Sequence, residues 1–263
     1  MPVTATGVYG APMLADRAAR GLHAHWRAQC GYVAGGEVAE HDGVLLTVTN
    51  LSDETLNCAF VPDTPADPAG AVDWCVAEFE RRRLRPGMEL RAGRHPEIEA
   101  LLRGRGFTVV VRRPAMTMPL PAGRQAGSDA VEVREVSSEA DLAAFRAIQS
   151  EVFDLAPPVA EAFLPRAALD VPGIRWFLAT HDGVPCGTAG ATLSEHGAGI
   201  VGVATLPAYR GRGVGRTVTA AAATWAAGMG ADLAWLYPSA MAQRMYERLG
   251  FTTLDDVAQV WVA

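Results

Sequence analysis

Lysine is absent from this chain: all 23 basic residues are arginine. That excludes several chemistries at once. A P-loop needs a Lys to reach the phosphates. A protein kinase needs its strand Lys. A pyridoxal-phosphate enzyme needs a Lys Schiff base. Cysteine is scarce as well. The four residues Cys30, Cys58, Cys75 and Cys186 contain no C-x-x-C pair, so neither a zinc site nor a disulfide framework is expected. No metal ligand set is read from the sequence. The longest uncharged stretch of interest, residues 217–231, is too short and too rich in Ala and Gly to span a bilayer. Residues 1–20 lack a basic region followed by an apolar core, so no signal peptide is expected. The formal net charge of −6 argues against a general nucleic-acid binder. The clusters Arg81-Arg82-Arg83 and Arg112-Arg113 are too short to reverse that balance. These absences lead to an expectation of a cytoplasmic protein with reduced, buried thiols, with neither nucleic acid nor membrane as a partner.

What remains is an ordinary globular composition, with 263 residues and 49% hydrophobic content. That length holds one large domain or two smaller ones. The Pro-, Gly- and polar-rich stretch from Pro119 to Asp129 is the best boundary. We therefore expect domains at residues 1–125 and 126–263.

The second half reads as mixed α and β. Ser137-Ser138-Glu139-Ala140-Asp141 reads as a helix start, with the helix expected from about Asp141 to Phe153, and a second helix is expected over 159–168. Strands follow at 176–180, 186–193 and 198–206, the first two ending in turn signals. An Ala-rich helix is expected from near Gly213 to Gly228 or Gly230. A strand at 233–237, a helix at 240–249 stopped by Gly250, and a strand at 257–262 close the chain. The first half predicts helices at 13–28, 68–83 and 97–103, and strands at 32–38, 44–50, 56–61, 88–91 and 107–116. A faint internal repeat links Leu101-Leu102-Arg103-Gly104-Arg105-Gly106-Phe107-Thr108 to Met245-Tyr246-Glu247-Arg248-Leu249-Gly250-Phe251-Thr252. Both are helix ends followed by Gly-Phe-Thr and a strand, about one domain length apart.

The segment with chemical content is Val203-Ala204-Thr205-Leu206-Pro207-Ala208-Tyr209-Arg210-Gly211-Arg212-Gly213-Val214-Gly215-Arg216. It leaves a strand and opens a helix. Its glycines remove Cβ atoms and let the backbone approach a ligand. Free N–H groups at the helix start, with the helix dipole, suit a pyrophosphate. Arg210, Arg212 and Arg216 add positive charge. The spacing is not a dinucleotide fingerprint, because Asp232 precedes its strand rather than ending it. Arg-x-x-Gly-x-Gly after a strand and a Pro instead resembles the pyrophosphate loop of the GNAT superfamily of acyl-CoA N-acyltransferases. The following strand, and then a helix ending in Tyr246-Glu247-Arg248-Leu249-Gly250-Phe251, extend the resemblance. It covers roughly residues 130–263 and is strongest in 200–251. Many family members carry Asn where this chain has Ser239, which weakens any role assigned to Ser239.

The resemblance implies an α+β fold with a mixed, mostly antiparallel sheet flanked by helices, in two tandem domains. The first would be a degenerate copy without a cofactor loop, because Arg103-Gly104-Arg105-Gly106 runs into a strand rather than a helix. Its expected job is to wall the acceptor pocket or stabilise the sheet. The implied reaction is direct acetyl transfer from acetyl-CoA to an amine, either a small molecule or a peptide. The backbone from Gly211 through Val214 and Gly215 to Arg216 would hold the pyrophosphate. Val203, Ala204 and Thr205 would align the thioester, with the N–H of Val203 or Ala204 facing the oxyanion. Ser239 would add a hydrogen bond, and Tyr246 would protonate the leaving thiolate.

Candidate bases are Glu151, Asp154, Asp170, Glu195 and His196, with a water chain as the alternative. Phe153, Leu155, Phe163 and Leu164 are either an acceptor wall or ordinary helix packing, and Glu151 and Asp154 could attract an amine. Trp176, Trp225, Trp235 and Trp261 fit core or pocket walls equally well. Two other functions stay open: a non-catalytic acyl-CoA sensor, and an acyltransferase using longer chains in room left by Gly187, Ala189 and Ala191. Oligomeric state is not legible, and a homodimer is compatible with the sequence.

Overall fold

The computed structural model describes residues 10–51, 56–122, 128 and 130–263. The expected domain boundary at 125/126 lies outside the described residues. One sheet runs through the whole chain. The first half contributes α1 (Ala11–Tyr32), β1 (Glu37–His41), β2 (Val44–Val48), β3 (Asn57–Phe60), α2 (Pro68–Arg81), β4 (Gly87–Arg91), α3 (Pro96–Gly104) and β5 (Thr108–Pro119). The second half contributes β6 (Val131–Glu135), α4 (Glu139–Phe153), α5 (Pro157–Phe163), β7 (Ile174–His181), β8 (Val184–Ser194) and β9 (Gly197–Thr205). It continues with α6 (Val214–Gly228), β10 (Leu233–Leu236), α7 (Gln243–Arg248) and β11 (Thr252–Val262).

The strand order is β1-β2-β3-β4-β11-β5-β10-β9-β8-β7-β6. Two pairings are parallel, β3 with β4 and β10 with β9, and the rest are antiparallel. The order has an internal symmetry. β4 takes β11, the last strand of the second half, as its outer neighbour. β10 takes β5, the last strand of the first half, as its own. The halves thus exchange their final strands, and β5 and β11 lie side by side at the centre.

The faint sequence repeat has a physical counterpart. In each half a helix ends at a glycine of positive φ, Gly106 (84°) or Gly250 (96°). The next N–H then reaches back to the helix, Phe107 to Leu102 O and Phe251 to Tyr246 O, both at 3.0 Å. Superposing these stops sets Leu102 where the second half has Tyr246.

Helices cover both faces of the sheet. α6 and α7 pack with Met116, Met118, Ala234 and Leu236 on one face, and α2 and α3 continue that layer over the first half. α1, α4 and α5 cover the other face, over Ala115, Leu233, Trp235 and Val260 and over Trp176 and Leu178. Local signals explain the boundaries. Ser138 caps α4, its side chain accepting from Asp141 N at 3.1 Å, with Glu139 and Asp141 in the first turn. Gly187, Ala189 and Ala191 are not spare room for a long acyl chain. They are roofed by α6: Ala189 and Ala191 are fully buried beside Ala222 and Ala226, and a Cβ on Gly187 would strike Val214.

Three expected elements differ most. α1 continues through Tyr32, so the strand expected at 32–38 starts only at Glu37. The buried rings of Tyr32 and Phe145 share one cluster, and that packing outweighs the helix-weakening Gly31. The helix expected over 159–168 stops at Phe163, because Pro165 disfavours helical backbone at Leu164; a short 3-10 turn, Arg166–Leu169, follows. β11 begins at Thr252 rather than Val257, with a register shift between Thr253 and Val257. Asp256, ahead of the expected strand, is buried and paired with Arg91.

Arg91 Nε donates to both oxygens of Asp256, at 3.1 and 2.9 Å, and Nη1 donates to Asp16 on α1. This group ties β4, β11 and α1 together. Removing one partner of a buried pair strands the other charge and costs about 3–5 kcal/mol. Urea denaturation of the wild type is expected to show one transition, because the exchanged strands couple the halves. Arg91→Met is expected to move that whole transition down by an amount in this range. Two separable transitions, or a loss under about 1 kcal/mol, would contradict the coupling.

Candidate active site

The site begins where β9 and β10 part. Their parallel pairing covers only Ala234↔Ala198 and Trp235↔Gly199. β9 nevertheless runs on to Thr205, and the other chain continues past Leu236 to Pro238 and Ser239. The gap between them opens into a cavity of about 440 Å³. That is within the usual range for a small-molecule site.

A bulge shapes the β9 side of the gap. Against β8 the register steps from Gly190↔Val201 to Thr188↔Ala204, leaving Gly202 and Val203 outside the ladder. Gly202 has φ +57°, a left-handed conformation that favours glycine. Its carbonyl is fixed by two donors, Gln149 Nε2 at 2.8 Å and Thr188 Oγ1 at 2.9 Å. Gln149 Nε2 also lies 2.6 Å from Thr188 Oγ1. A trans peptide points its N–H opposite to its C=O. The N–H of Val203 is therefore directed away from Gln149 and Thr188.

The loop after β9 turns into α6. Gly213 is the N-cap with φ +86°, and no side chain caps this helix. Thr217 N closes the first turn on Gly213 O at 2.9 Å. Among the described residues the N–H groups of Val214, Gly215 and Arg216 have no partner, and Arg216 Nε is buried and unpaired. A Cβ at Gly213 would lie 3.1 Å from Ser128 Cβ, and one at Gly215 would lie 3.0 Å from Met245 Sδ and 3.2 Å from Thr205 Oγ1. Arg210, Gly211 and Arg212 are exposed on the outer turn, with Arg212 over the Tyr209 ring at 5.4 Å. Val214 is buried and anchors the helix on β8. The corresponding helix of the first half differs at this very point. There Asp67 is the N-cap, and its carboxylate accepts from Gly70 N at 3.0 Å. One helix start is already occupied by a carboxylate; the other has free donors and a buried guanidinium nitrogen. The second suits a bound anion.

Val203, Ser239 and Tyr246 all line the cavity. Ala204 is buried and Thr205 faces Gly215. Tyr246 sits on α7, 5% exposed, edge-on to Phe251 at 5.7 Å. Burial pushes its phenol well above the usual tyrosine range, so the group is a neutral proton donor at any working pH. Among the described residues its hydroxyl has no hydrogen-bond partner. Ser239 is exposed on the segment just before α7.

The remaining wall comes from both halves. Phe153, Leu155, Phe163 and Leu164 all line the cavity, as do Trp176 and Trp235. Trp225 and Trp261 instead stack under Arg175 and Arg103. The first half supplies Leu22, His25, Trp26 and Gln29 from α1 and Val111 and Arg113 from β5. None of these six was singled out as a site residue in the sequence, where Arg113 figured only in the Arg112-Arg113 charge cluster, although the α1 four fall on one helical face at spacings of three, four and seven. None of the candidate bases lines the cavity. Glu151, Asp154, Asp170 and Glu195 are exposed, Asp154 as the left-handed cap of α4 and Asp170 paired with Arg166. His196 is half-buried and its carbonyl accepts from Arg17. Burial lowers His25 to about 4, so its imidazole is neutral near pH 7.

Among the described residues no group of three or more His, Cys, Asp or Glu is placed to hold a metal, and no helix is long and apolar enough to cross a membrane. All four cysteines are buried and unpaired.

Comparison with known proteins agrees with this geometry. Residues 141–251 match the model of the Acetyltransferase (GNAT) family. No curated protein is matched. Solved structures share the fold over nearly the whole chain. A GCN5-related N-acetyltransferase from Kribbella flavida has a TM-score of 0.70 and 24% identity, covering 93% of this chain and 95% of that one. One from Sphaerobacter thermophilus has a TM-score of 0.63 and 17% identity, covering 95% and 93%. A tandem GNAT protein from the clavulanic acid biosynthesis pathway has a TM-score of 0.58 and 15% identity, covering 84% and 78%. GNAT domains are, as a family, acyl-CoA-dependent acyltransferases, and residues 141–251 of this chain form a domain of that family.

Proposed function

We propose that this protein transfers an acetyl group from acetyl-CoA directly to an amine, using the gap between β9 and β10. The observation that carries this reading is a convergence. Gly202, Val203 and Tyr246 line one cavity, and the uncapped start of α6 lies next to it, with Gly215 close against Thr205 and against Met245, the neighbour of Tyr246 on α7.

Each part answers a requirement of the reaction. The pyrophosphate needs donors, and the free N–H groups of Val214, Gly215 and Arg216 supply them, helped by Arg216 and the outer Arg210 and Arg212. A hydrogen bond to a charged group contributes about 1.5–3 kcal/mol. The thioester needs a fixed edge, which β9 at Val203, Ala204 and Thr205, unpaired on the side facing β10, provides. Attack on its carbonyl builds negative charge on oxygen, and the N–H of Val203 is held in place by the Gln149–Thr188 clamp to receive it. Collapse expels a thiolate, and Tyr246 donates the proton. Ser239 is placed to orient the pantetheine arm or the phenol. The acceptor enters the shared cavity as a free amine, and its surplus proton leaves through water, since no carboxylate lines the wall among the described residues.

The first half then acts as a wall and a brace rather than as a second catalyst. Asp67 caps its α2, and Leu102 takes the place of the phenol. Tyr246 itself favours catalysis over mere acyl-CoA sensing, because binding alone needs no proton donor. The buried, unpaired thiols are in keeping with a reducing, cytoplasmic setting. The test is release of free CoA from acetyl-CoA across a panel of amines. Release that depends on the amine supports transfer. Tight acetyl-CoA binding with no amine-dependent release across the panel would leave a sensor instead.

A further inference from the structure

We propose that the acceptor is an amine carrying an acidic group on an apolar body, and that Arg113 is the partner of that acid. This rests on the acyl-transfer reading and names the substrate class of the same site.

The cavity wall has an unusual charge inventory. Most of it is apolar and aromatic, with Trp26, Phe153, Phe163 and Trp176 among its surfaces. Among the described residues no Asp or Glu lines it, and the two formal charges there are Arg113 and Arg146. His25 is neutral there, because burial lowers it to about 4. A polyamine would bring several ammonium groups into a pocket with no carboxylate to meet them. A substrate with one amine and one acid brings a charge that the wall can pair.

The two arginines are not equally free. Arg146 is committed to the protein: its Nε donates to Leu164 O at 2.9 Å and its Nη1 lies 3.9 Å from Glu161. Arg113 spends one N–H on Glu89 Oε2 at 3.2 Å, and its Nε, although buried, has no partner among the described residues. A guanidinium offers five donors in a planar fork that matches a carboxylate. Glu89 is itself buried and does not line the cavity, so it positions Arg113 from behind without filling the pocket. Arg113 stands on β5, three residues beyond Met116, the last β5 residue paired with β10. It therefore lies past the point where β10 has left the sheet and the cavity opens.

Nearby polar groups are unsatisfied in the same way. Gln29 Nε2 and Oε1 and His25 Nδ1, on the α1 wall, have no partner among the described residues. Buried polar atoms are nearly always bonded. A ligand with its own donors and acceptors would satisfy them, while a purely hydrocarbon amine would not.

The experiment measures kcat/KM for CoA release with matched probes: 4-(aminomethyl)benzoate against benzylamine, phenylalanine against phenethylamine, and spermidine as the polycation. The acid-bearing member is expected to be favoured at least 10-fold in one or both pairs, with spermidine the poorest. Arg113→Gln is expected to bring that ratio near one through KM, and Arg113→Lys, which keeps a charge beside Glu89, to retain part of it. Acid-free amines used as well as their partners in both pairs, spermidine as the best acceptor, or a ratio unmoved in Arg113→Gln would overturn the proposal.

A parallel calorimetric titration, in the presence of CoA, compares N-acetylphenylalanine with N-acetylphenethylamine and 4-(acetamidomethyl)benzoate with N-benzylacetamide. Arg113-dependent binding of the acid without any turnover would keep the acid site and sink acyl transfer. Turnover with no acid preference would do the reverse. Neither turnover nor acid binding would sink both.

Discussion

Tyr246→Phe is expected to lower kcat by about 100-fold or more while acetyl-CoA affinity stays within about 2-fold, since a positioned general acid contributes about 10²–10⁴. The substitution removes one oxygen from a 5% exposed side chain and leaves its ring against Phe251. The fold and the pyrophosphate site should not register the change. The phenol also explains why the effect appears in kcat. Burial raises its pKa, so it is fully protonated before the reaction and gives up its proton only as the thiolate forms. The same low-polarity surroundings raise the pKa of the departing thiol, which keeps the transfer feasible. Steady-state kinetics with a saturating amine, beside calorimetry with acetyl-CoA, separates the two quantities. Equal loss of turnover and affinity would assign Tyr246 to packing. An unchanged kcat would assign protonation to water.

Gly213→Val is expected to weaken acetyl-CoA binding by at least about 30-fold, with a smaller effect on melting temperature. Two features act together. The residue sits at φ +86°, which a β-branched side chain resists, and a Cβ there would lie 3.1 Å from Ser128. Relief requires the loop to shift, and the N–H groups of Val214, Gly215 and Arg216 shift with it. Losing two of three charge-assisted hydrogen bonds is enough for the expected change. Calorimetric titration with acetyl-CoA measures it, with circular dichroism as the check that α6 persists. Wild-type affinity in a folded variant would show that the α6 start is a structural turn.

The chain displayed its chemistry unevenly. The loop from Arg210 to Arg216 and the helix from Tyr246 to Phe251 are legible because their functional atoms are local: backbone N–H groups at one helix start, and one phenol four residues before a glycine stop. The Gly202 bulge was not legible. It depends on Gln149 and Thr188, from α4 and β8, converging on one carbonyl. Strand exchange was hidden for the same reason. Nothing within 108–119 or 252–262 announces that each pairs across the chain with the other half. Asp256 shows the effect most plainly. It lies outside the expected strand, and only Arg91, distant in sequence, makes it a buried strand residue. The α1 wall lies between these cases. Leu22, His25, Trp26 and Gln29 share one face, but polar residues on a buried face acquire meaning only when the cavity beside them is seen.

The most direct test of the central claim is calorimetric titration of the wild-type protein with acetyl-CoA, with desulfo-CoA and NAD run alongside. The account predicts micromolar binding of both CoA compounds, about −8 kcal/mol at 1 μM, and no heat from NAD. Absence of CoA binding in folded protein, or equal binding of NAD, would contradict it, leaving the α6 loop as a turn between strand and helix.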